Sequence, residues 1–151
     1  ALKILIDYPS KQEELEIIER NSSEQTNSIK PILNANEILE IQRFNEKIYA
    51  DKIIIEYIAD IVNATRNPKD YDLDLETMIE FGASPRASIW LMRTAKANAL
   101  LNGRGFIIPE DVKAVVHEVL RHRIILTFEA EANGITTDKI IDFVLEKIST
   151  P

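Results

Sequence analysis

The most regular apolar pattern of the chain lies between residues 112 and 120 and fits only one kind of local structure. The apolar residues of this pattern are Val112, Val115, Val116, Val119 and Leu120. Their spacing of i, i+3, i+4, i+7 and i+8 is that of one face of an amphipathic α-helix, whereas a strand alternates its side chains between two faces. The segment Ile108-Pro109-Glu110-Asp111 places a proline at the start. The pattern therefore predicts one helix from about residue 109 to about residue 123.

Helical spacing recurs along most of the remaining sequence. The predicted starts are marked by caps or turn signals at Ser10 with Glu13, near Asn36, at Asp51, at Ser84-Pro85 and near Thr137. The first of these helices is expected to end near Arg20, and the fourth near Asn102, at Gly103. The stripes expected to face a core are Ile38, Ile41, Phe44 and Ile48; Ile54, Tyr57, Ile58 and Ile61; and Ile140 or Ile141 with Val144 and Ile148. The chain is therefore predicted to be all-α, a bundle of about six helices.

One segment near the N-terminus has the pattern of a strand. Residues 2–7 alternate apolar and polar side chains, and Tyr8-Pro9 then interrupts the pattern. Because a lone strand is not stable without neighbours, its sheet is expected upstream of Ala1 or in another chain. The sequence thus predicts two parts, the end of a larger domain over residues 1–8 and a helical domain over residues 9–151.

Three stretches are predicted to connect these elements. Residues 67–83 are expected to form a connection, and residues 124–134 are ambiguous and partly extended. Residues 21–34 are rich in Ser, Asn and Thr and are predicted to form a surface loop anchored by Ile29, Ile32 and Leu33. This loop is long enough to contact another protein.

Charge and composition exclude several classes of function. A net charge of −7 in 151 residues disfavours binding to nucleic acids, because that binding depends on neutralising phosphates with Lys and Arg. The absence of cysteine excludes disulfides and thiolate metal sites and is compatible with the cytoplasm. The apolar runs are far shorter than the roughly 20 residues that span a membrane. Residues 86–123 nevertheless carry seven basic and three acidic side chains, either as a solvated surface or as a place where an anion docks.

Residues that commonly carry chemistry are scarce. His117 and His122 lie five positions apart in a predicted helix and do not share a face, so no metal site is predicted. The acidic residues Asp70, Asp72 and Asp74 lack the glycine and the bidentate glutamate of an EF-hand and indicate a solvated loop. The phosphate-binding motif G-x-x-x-x-G-K-[ST] does not occur. The chain alone is therefore not expected to transfer phosphoryl groups.

The segment from residue 81 to residue 88 is the exception. A glycine that permits a turn and a serine cap precede Pro85, and Arg86 follows in the first helical turn. A helix N-terminus attracts anions, and arginine adds five donors in a rigid fork that suits phosphate. The alternative is that Arg86 pairs with a nearby carboxylate such as Glu80. From the residues alone, the two interpretations have equal weight.

The same segment resembles the sensor 2 motif of MoxR-type AAA+ ATPases, in which an arginine projects from a lid domain onto the nucleotide of the core domain. The matching residues are Gly82-Ala83-Ser84-Pro85-Arg86-Ala87-Ser88. Three further stretches are similar to this family in the expected order. They are residues 2–9 as the last core strand and the start of the lid, residues 102–104 with 108–112 as the link between two lid helices, and residues 119–124 with 129–131 and Gly134 as the C-terminal signature.

The resemblance implies that this chain is the C-terminal lid domain of such an ATPase. It implies that Arg86 is a catalytic residue that contacts ATP, that Pro85 lies beside the nucleotide, and that Tyr8 and Pro9 touch the adenine. For Tyr8 and Pro9 the other interpretation is packing against the first helix, and Trp90 is expected to fill the core rather than stack on a base. The Walker A, Walker B, sensor 1 and arginine-finger segments of the family are absent from this sequence.

The resemblance also implies a parent protein with properties that these residues do not encode. It implies a homo-hexameric, cytoplasmic ATPase with chaperone-like activity, whose core domain holds ATP with Mg²⁺ and whose partners include von Willebrand factor A domain proteins. The competing hypothesis is a non-enzymatic helical adaptor that binds another protein through Ile29, Ile32, Leu33 and an acidic flank. A helical DNA-binding module is disfavoured by the net charge of −7.

Overall fold

The computed structural model describes residues 1–22 and 30–151. In these ranges the helices are α1 (Lys11–Ser22), α2 (Ala35–Lys47), α3 (Lys52–Ala64), α4 (Pro85–Leu101), α5 (Pro109–Lys113), α6 (Val116–Leu120), α7 (Phe128–Ala132) and α8 (Thr137–Lys147). A 3-10 turn (Pro68–Tyr71) and two strands, β1 (Ile79–Phe81) and β2 (Ile125–Leu126), complete the described elements. The predicted helical bundle is confirmed, with eight helices instead of about six. No helix in the two ranges is both long and apolar enough to cross a membrane.

The core lies where α3, α4, α6 and α8 meet. The inward stripe of α4 consists mostly of alanine at four-residue spacing, and each member is fully buried: Ala87, Leu91, Ala95 and Ala99. Because alanine projects so little, the neighbouring helices approach the α4 backbone closely. The large side chains around this stripe, such as Ile61 and Leu120, are also fully buried. Each of them stabilises the fold by roughly 1.5–3 kcal/mol.

Most helix boundaries follow the local signals in the sequence. The capping box at the start of α1 is formed, since the Ser10 N–H donates to Glu13 at 2.8 Å. Asp51 caps α3 by accepting the Ile53 N–H at 3.1 Å. At the other end of α4, Gly103 has a φ of +70°, which side-chain-bearing residues rarely adopt, and the chain turns there as predicted. Short-range hydrogen bonding thus places the ends of these helices.

The single helix predicted over residues 109–123 is wrong in one respect, because it is broken into α5 and α6. The break lies at Val115, whose φ of −123° and ψ of −3° depart from helical geometry. Its N–H bonds to the Val112 carbonyl at 3.2 Å, three residues back instead of four. Both halves still bury their apolar face, with Val112 and Val119 fully enclosed. The periodicity survives the break because each half continues to face the same core.

The two strands and α7 lie in segments whose structure the sequence did not reveal. Strand β1, in the expected connection, pairs antiparallel with β2, so that Ile79 faces Leu126. The Thr127 hydroxyl extends the contact by donating to the Thr77 carbonyl at 2.7 Å, and it also caps α7. Strands of two and three residues carry no detectable alternation, and their pairing joins segments far apart in sequence. Only the tertiary fold therefore defines them.

The strand predicted over residues 2–7 is not formed, and residues 1–10 contain neither helix nor strand. The segment has no neighbouring strand to complete its hydrogen bonds within the described residues. Its apolar side chains remain outside the core, with Ile6 90% exposed. The division into residues 1–8 and 9–151 remains a prediction.

Helix α2 and the loop before it are more exposed than the sequence indicated. The stripe predicted to face the core leaves Ile38, Ile41 and Phe44 exposed, and only Ile48, just after the helix, is buried. In the predicted loop, Ile32 is 94% exposed and does not anchor it, while Leu33 is also exposed. Ile29 lies outside the described residues. The apolar stripe of α2 was correctly recognised as amphipathic, but the described part of the chain does not cover it.

Candidate functional site

The turn before α4 is fixed to the end of α3 by a buried threonine. The Thr65 hydroxyl donates to the Val62 carbonyl at 2.7 Å and accepts the Ala83 N–H at 2.9 Å. Because this hydroxyl is buried, leaving either partner unsatisfied would cost about 1–3 kcal/mol. No motif in the sequence marked Thr65, since its partner in the turn lies 18 positions away. The start of α4 is therefore held in place by α3.

Gly82 allows the same two segments to approach each other. A Cβ at residue 82 would lie 2.2 Å from the carbonyl oxygen of Thr65, much closer than real Cβ atoms come to backbone. The sequence predicted that Gly82 frees a turn, yet its φ is not among the positive values of the described glycines. The reason for a glycine here is close packing of backbone on backbone.

The N-terminus of α4 has the predicted arrangement without the predicted cap. Ser84 occupies the N-cap position with extended backbone and Pro85 is the first helical residue, but the serine side chain makes no capping hydrogen bond. The first turn also contains no acidic residue. The positive end of a 17-residue helix is thus not neutralised by a local carboxylate, which favours an anion from elsewhere.

Arg86 lies in this first turn and is exposed. Within residues 1–22 and 30–151, its guanidinium takes part in no hydrogen bond or ion pair. The alternative considered from the sequence, a pairing with Glu80, is therefore not formed. The side chain is presented on a rigid helix with all five donors open to an outside partner. Pro85 precedes it and is also exposed.

A polar cleft of about 410 Å³ lies beside Gly82. Its lining mixes charges of both signs, and Lys69 within it is paired with Glu76 at 2.5 Å. Glu80 also lines it. Because the carboxylates offset the basic groups, the cleft does not favour an anion. Arg86 and the start of α4 lie outside the lining of this cleft.

The predicted hinge residues extend into solvent. Tyr8 is 98% exposed and Pro9 is exposed as well, so the packing of these residues against the first helix is not formed. No hydrogen bond within the described ranges connects Tyr8 with Arg86. Contact of Tyr8 and Pro9 with an adenine remains a prediction.

Trp90, one turn after Arg86, packs against the core as predicted and is partly buried. The guanidinium of Arg93 lies 5.5 Å from the centre of its ring, a cation–π arrangement. One face of the indole is thus already occupied by a charged group, which supports the structural interpretation of this residue.

A second arginine, Arg104, has its charge neutralised inside the fold. Asp111, only 1% exposed, accepts hydrogen bonds from both terminal nitrogens of Arg104, from Asn98 at 2.8 Å and from the Ile108 N–H at 2.9 Å. Burial raises the pKa of Asp111, but these hydrogen bonds outweigh it and hold the pKa below its usual value. The same pairing raises the pKa of Arg104. This cluster fixes the link between α4 and α5 and is not open to a ligand.

The described residues offer no metal centre. His117 pairs with Asp142 at 2.9 Å, while His122 is exposed and has a pKa that partial desolvation and Arg123 lower. Across residues 1–22 and 30–151 there is no group of three or more His, Cys, Asp or Glu side chains that could hold a metal ion. The described residues therefore do not supply the cluster of carboxylate ligands that would hold Mg²⁺.

Comparisons with known proteins identify relatives with the same fold. The family model of the AAA lid domain matches residues 72–143. Chaperone MoxR1 of Mycobacterium tuberculosis is 37% identical over 150 residues, which is 99% of this chain and 40% of that protein. Protein MoxR of Paracoccus denitrificans is 39% identical over 84 residues, 52% of this chain and 25% of that protein.

A crystal structure of a proposed ATPase from Cytophaga hutchinsonii has the same fold. It superimposes with a TM-score of 0.93 and 41% sequence identity, over 99% of this chain and 46% of that one. The chain thus spans less than half the length of these relatives. From its fold and these matches, the chain belongs to the AAA lid domains, and specifically to those of the MoxR family of AAA+ ATPases.

Proposed function

We propose that this lid responds to the nucleotide bound by the core domain of its parent, a chaperone-like remodelling ATPase, and that Arg86 is its sensor 2 residue. One observation carries the proposal. Arg86 is exposed in the first turn of α4 and has no hydrogen-bond or ion-pair partner in the part of the chain that the structure describes. A guanidinium so placed is suited to a partner in another domain.

The local chemistry suits a phosphate group. The uncapped N-terminus of α4 and the Arg86 guanidinium both favour negative charge, and the planar fork can bind two phosphate oxygens at once. The Thr65 hydroxyl and the close approach at Gly82 keep the start of α4 in place. Such preorganisation is what a site needs where charge develops during phosphoryl transfer.

A lid of this kind responds to the nucleotide state through differential contact. Arg86 meets the γ-phosphate while ATP is present and loses that partner once the phosphate has left. A ligand shifts a conformational equilibrium only by its difference in affinity for the two states. The swing of the helical bundle relative to the core then follows from the gain and loss of this bond.

The chain contributes only part of the nucleotide site. One charge-assisted hydrogen bond supplies about 1.5–3 kcal/mol, whereas millimolar affinity already requires about 4 kcal/mol. ATP is therefore held by the core domain, which also supplies the Mg²⁺ ligands that the described residues lack. In this proposal Arg86 is the catalytic residue, Pro85 lies beside the phosphates, and Tyr8 and Pro9 contact the adenine from the hinge.

The exposed apolar side of α1 and α2 is consistent with a lid that rests on a core domain. The large apolar residues exposed on these two helices are Leu15, Ile17, Ile18, Ile38, Leu39, Ile41 and Phe44. Large apolar side chains exposed in this number on two helices favour contact with a protein partner. We assign it to the core domain, and we place the parent in the cytoplasm as a homo-hexamer that acts with von Willebrand factor A domain proteins.

A second candidate function rests on the exposed apolar residues of the segment before α2. A non-enzymatic helical adaptor would bind an unrelated protein through the apolar residues before α2, among them the exposed Ile32 and Leu33, and through an acidic flank. The two candidates differ in what precedes Ala1 in the gene. An upstream P-loop supports the lid, whereas a sequence that lacks one supports the adaptor.

The proposal is tested by Arg86→Ala in the full-length parent. Removing a preorganised cation from a site where charge develops is expected to lower ATP turnover about 10²–10³-fold. Arg86→Lys is expected to restore only part of it, because an ammonium on a flexible stem does not reproduce the planar fork. The measurement is steady-state ATP hydrolysis, with a thermal melt of each variant.

Lys139→Ala is the matched control. Lys139 is exposed in the first turn of α8, and its replacement removes one positive charge from a comparable position. We expect turnover of this variant to equal that of the wild type. Unchanged turnover in Arg86→Ala, or an equal loss in both variants, would contradict the proposed role of Arg86.

A further inference from the structure

The main chain at the N-terminus is bound to the C-terminal end of α6, although it forms no secondary structure. The Lys3 N–H donates to the Glu118 carbonyl at 2.8 Å. The Lys3 carbonyl accepts from Nη1 of Arg121 at 3.0 Å, and the Ala1 carbonyl accepts from Nη2 of Arg123 at 3.3 Å. The first of these arginines lies 118 positions from its partner. Three hydrogen bonds thus join residues 1–3 to residues 118–123.

Arg121 connects this segment with two helices. Its side chain is only 10% exposed, and its Nε donates to Asp138 in the first turn of α8 at 3.0 Å. Glu118 of α6 lies 3.7 Å from the same guanidinium. The edge that carries Nη1 faces the Lys3 carbonyl. Because the guanidinium is rigid and planar, its position between α6 and α8 also fixes the direction of the donor that holds the segment.

Arg123 divides its donors in the same way. Its Nε donates to the Val119 carbonyl of α6 at 2.9 Å, and Nη2 remains for Ala1. Each of the two arginines therefore bonds the bundle with one part of its guanidinium and the N-terminal main chain with another. We call this pair, Arg121 and Arg123, the arginine clamp.

Apolar burial contributes little to holding the segment. Its large side chains remain 67%, 58% and 90% exposed at Ile4, Leu5 and Ile6. The clamp bonds main-chain carbonyls, so the attachment does not depend on which side chains the segment carries. In the described structure, hydrogen bonds from the clamp and to Glu118 set the path along which the segment meets the bundle.

We propose that Arg121 and Arg123 are positioning residues that fix the direction in which residues 1–8 leave the helical bundle. If the function proposed above holds, the direction of residues 1–8 fixes the orientation of Arg86 relative to the nucleotide on the core domain. The clamp acts through Arg86 and does not touch the nucleotide. A displacement of about 1 Å at a reacting centre can cost on the order of 10² in rate, so small losses of orientation have measurable effects.

The clamp is tested first in this chain by amide hydrogen exchange. Arg123→Gln, which removes the charged fork, is expected to accelerate exchange of the Lys3 amide at least about tenfold, because the segment opens locally. Exchange of the Leu91 amide in the core should not change. Arg93→Gln is the control, since Arg93 is an exposed arginine on α4 that contacts Trp90 and not the segment. Unaltered exchange at Lys3 in Arg123→Gln would overturn the clamp.

The coupling to Arg86 is tested by a double-mutant cycle in the full-length parent. Arg123→Gln is expected to lower kcat about tenfold at temperatures well below its Tm. If the clamp acts through Arg86, the double variant Arg86→Ala, Arg123→Gln turns over ATP no more slowly than Arg86→Ala alone. Losses that multiply in the double variant would overturn the coupling, and so would an unchanged kcat in Arg123→Gln.

The two proposals fail in different ways. If Arg86→Ala leaves turnover unchanged, the proposed function and the coupling both fail. The exchange rate of the Lys3 amide still shows whether Arg121 and Arg123 hold the N-terminal segment. If Arg86→Ala abolishes turnover and Lys3 exchange is the same in wild type and Arg123→Gln, the function stands and the clamp is wrong. Arg121→Lys serves as the conservative variant and should retain only part of the Lys3 protection, because lysine lacks the second edge that binds Asp138.

Discussion

Arg86 and Arg104 lie at opposite ends of α4 and differ in how their charge is used. Arg104, just after the helix, is bonded to the buried carboxylate of Asp111 and closes the link to α5. Arg86, in the first turn, is exposed and meets no partner within the described ranges. The comparison teaches that arginine content alone does not reveal a binding site. What distinguishes the two is whether the fold supplies a carboxylate of its own.

The surroundings of both arginines are nevertheless held by specific contacts. The Arg104 corner is held by charge-assisted bonds around Asp111, and the Arg86 turn by the Thr65 hydroxyl and the contact at Gly82. The order at Arg104 involves the arginine itself, whereas the order at Arg86 involves only its neighbours. Mutation of Arg104 should therefore lower the stability of the fold, whereas mutation of Arg86 should lower ATP turnover and leave stability nearly unchanged.

The largest loss of stability is expected for Asp111→Ala. Removing the carboxylate leaves Asn98 and the Ile108 N–H without their acceptor and breaks the pair with Arg104, so the free energy of unfolding should fall by about 3–5 kcal/mol. Chemical denaturation of both proteins measures this. Glu110→Ala, one position earlier and exposed, is the control and should have a small effect. If Asp111→Ala and Glu110→Ala lower the free energy of unfolding equally, the Asp111 cluster does not stabilise the fold as described.

A smaller loss of stability is expected for Gly82→Ala. The added Cβ would contact the Thr65 carbonyl oxygen at 2.2 Å, so the turn before α4 must shift, at a cost of about 1–3 kcal/mol. Gly105→Ala is the control, because nothing lies within 4 Å of a Cβ there. Denaturant melts of the two variants test this prediction, which is wrong if Gly82→Ala is as stable as Gly105→Ala.

The Asp111 corner should also make stability depend on pH. The pKa of Asp111 is lower in the folded state than its ordinary value of 3.8, so the folded state binds fewer protons. The stabilisation is therefore fully present above about pH 3.8 and is lost as the pH falls through the folded pKa. Denaturation at several acidic pH values should show a steeper decline in wild type than in Asp111→Asn. If the stability of wild type and of Asp111→Asn falls equally with pH, Asp111 is not the group responsible for the pH dependence.

The smallest effect on stability is expected for Arg86→Ala. An exposed first-turn arginine without a partner contributes no more than roughly 1 kcal/mol, so the Tm of this chain should hardly move. Arg104→Ala should lower the Tm clearly, since it leaves Asp111 without its cationic partner. Thermal melts of both variants and of the wild type measure these changes in Tm. A larger loss for Arg86→Ala than for Arg104→Ala would invert the comparison on which the proposed site rests.

Local signals in the sequence accounted for most of the longer helices and for part of the candidate site. Caps such as Ser10 and Asp51, and the glycine that ends α4, act within a few residues of themselves, so they could be identified without the fold. The placement of Arg86 in the first turn of a helix followed from the same kind of signal. Its exposure did not, because the choice between Glu80 and an outside anion depends on three-dimensional distances.

The features that only the tertiary structure decided all join residues far apart in the chain. The pairing of β1 with β2, the bond between Thr65 and Ala83, and the arginine clamp on residues 1–3 connect segments whose own sequences carry no sign of each other. The break at Val115 and the exposure of α2 likewise depend on what packs against them. By itself the sequence determined the starts of the longer helices and which side chains are apolar or charged, since these follow from local backbone bonding and side-chain chemistry. Which charges are neutralised within the fold was decided by packing, because that depends on which distant groups are brought within hydrogen-bond distance.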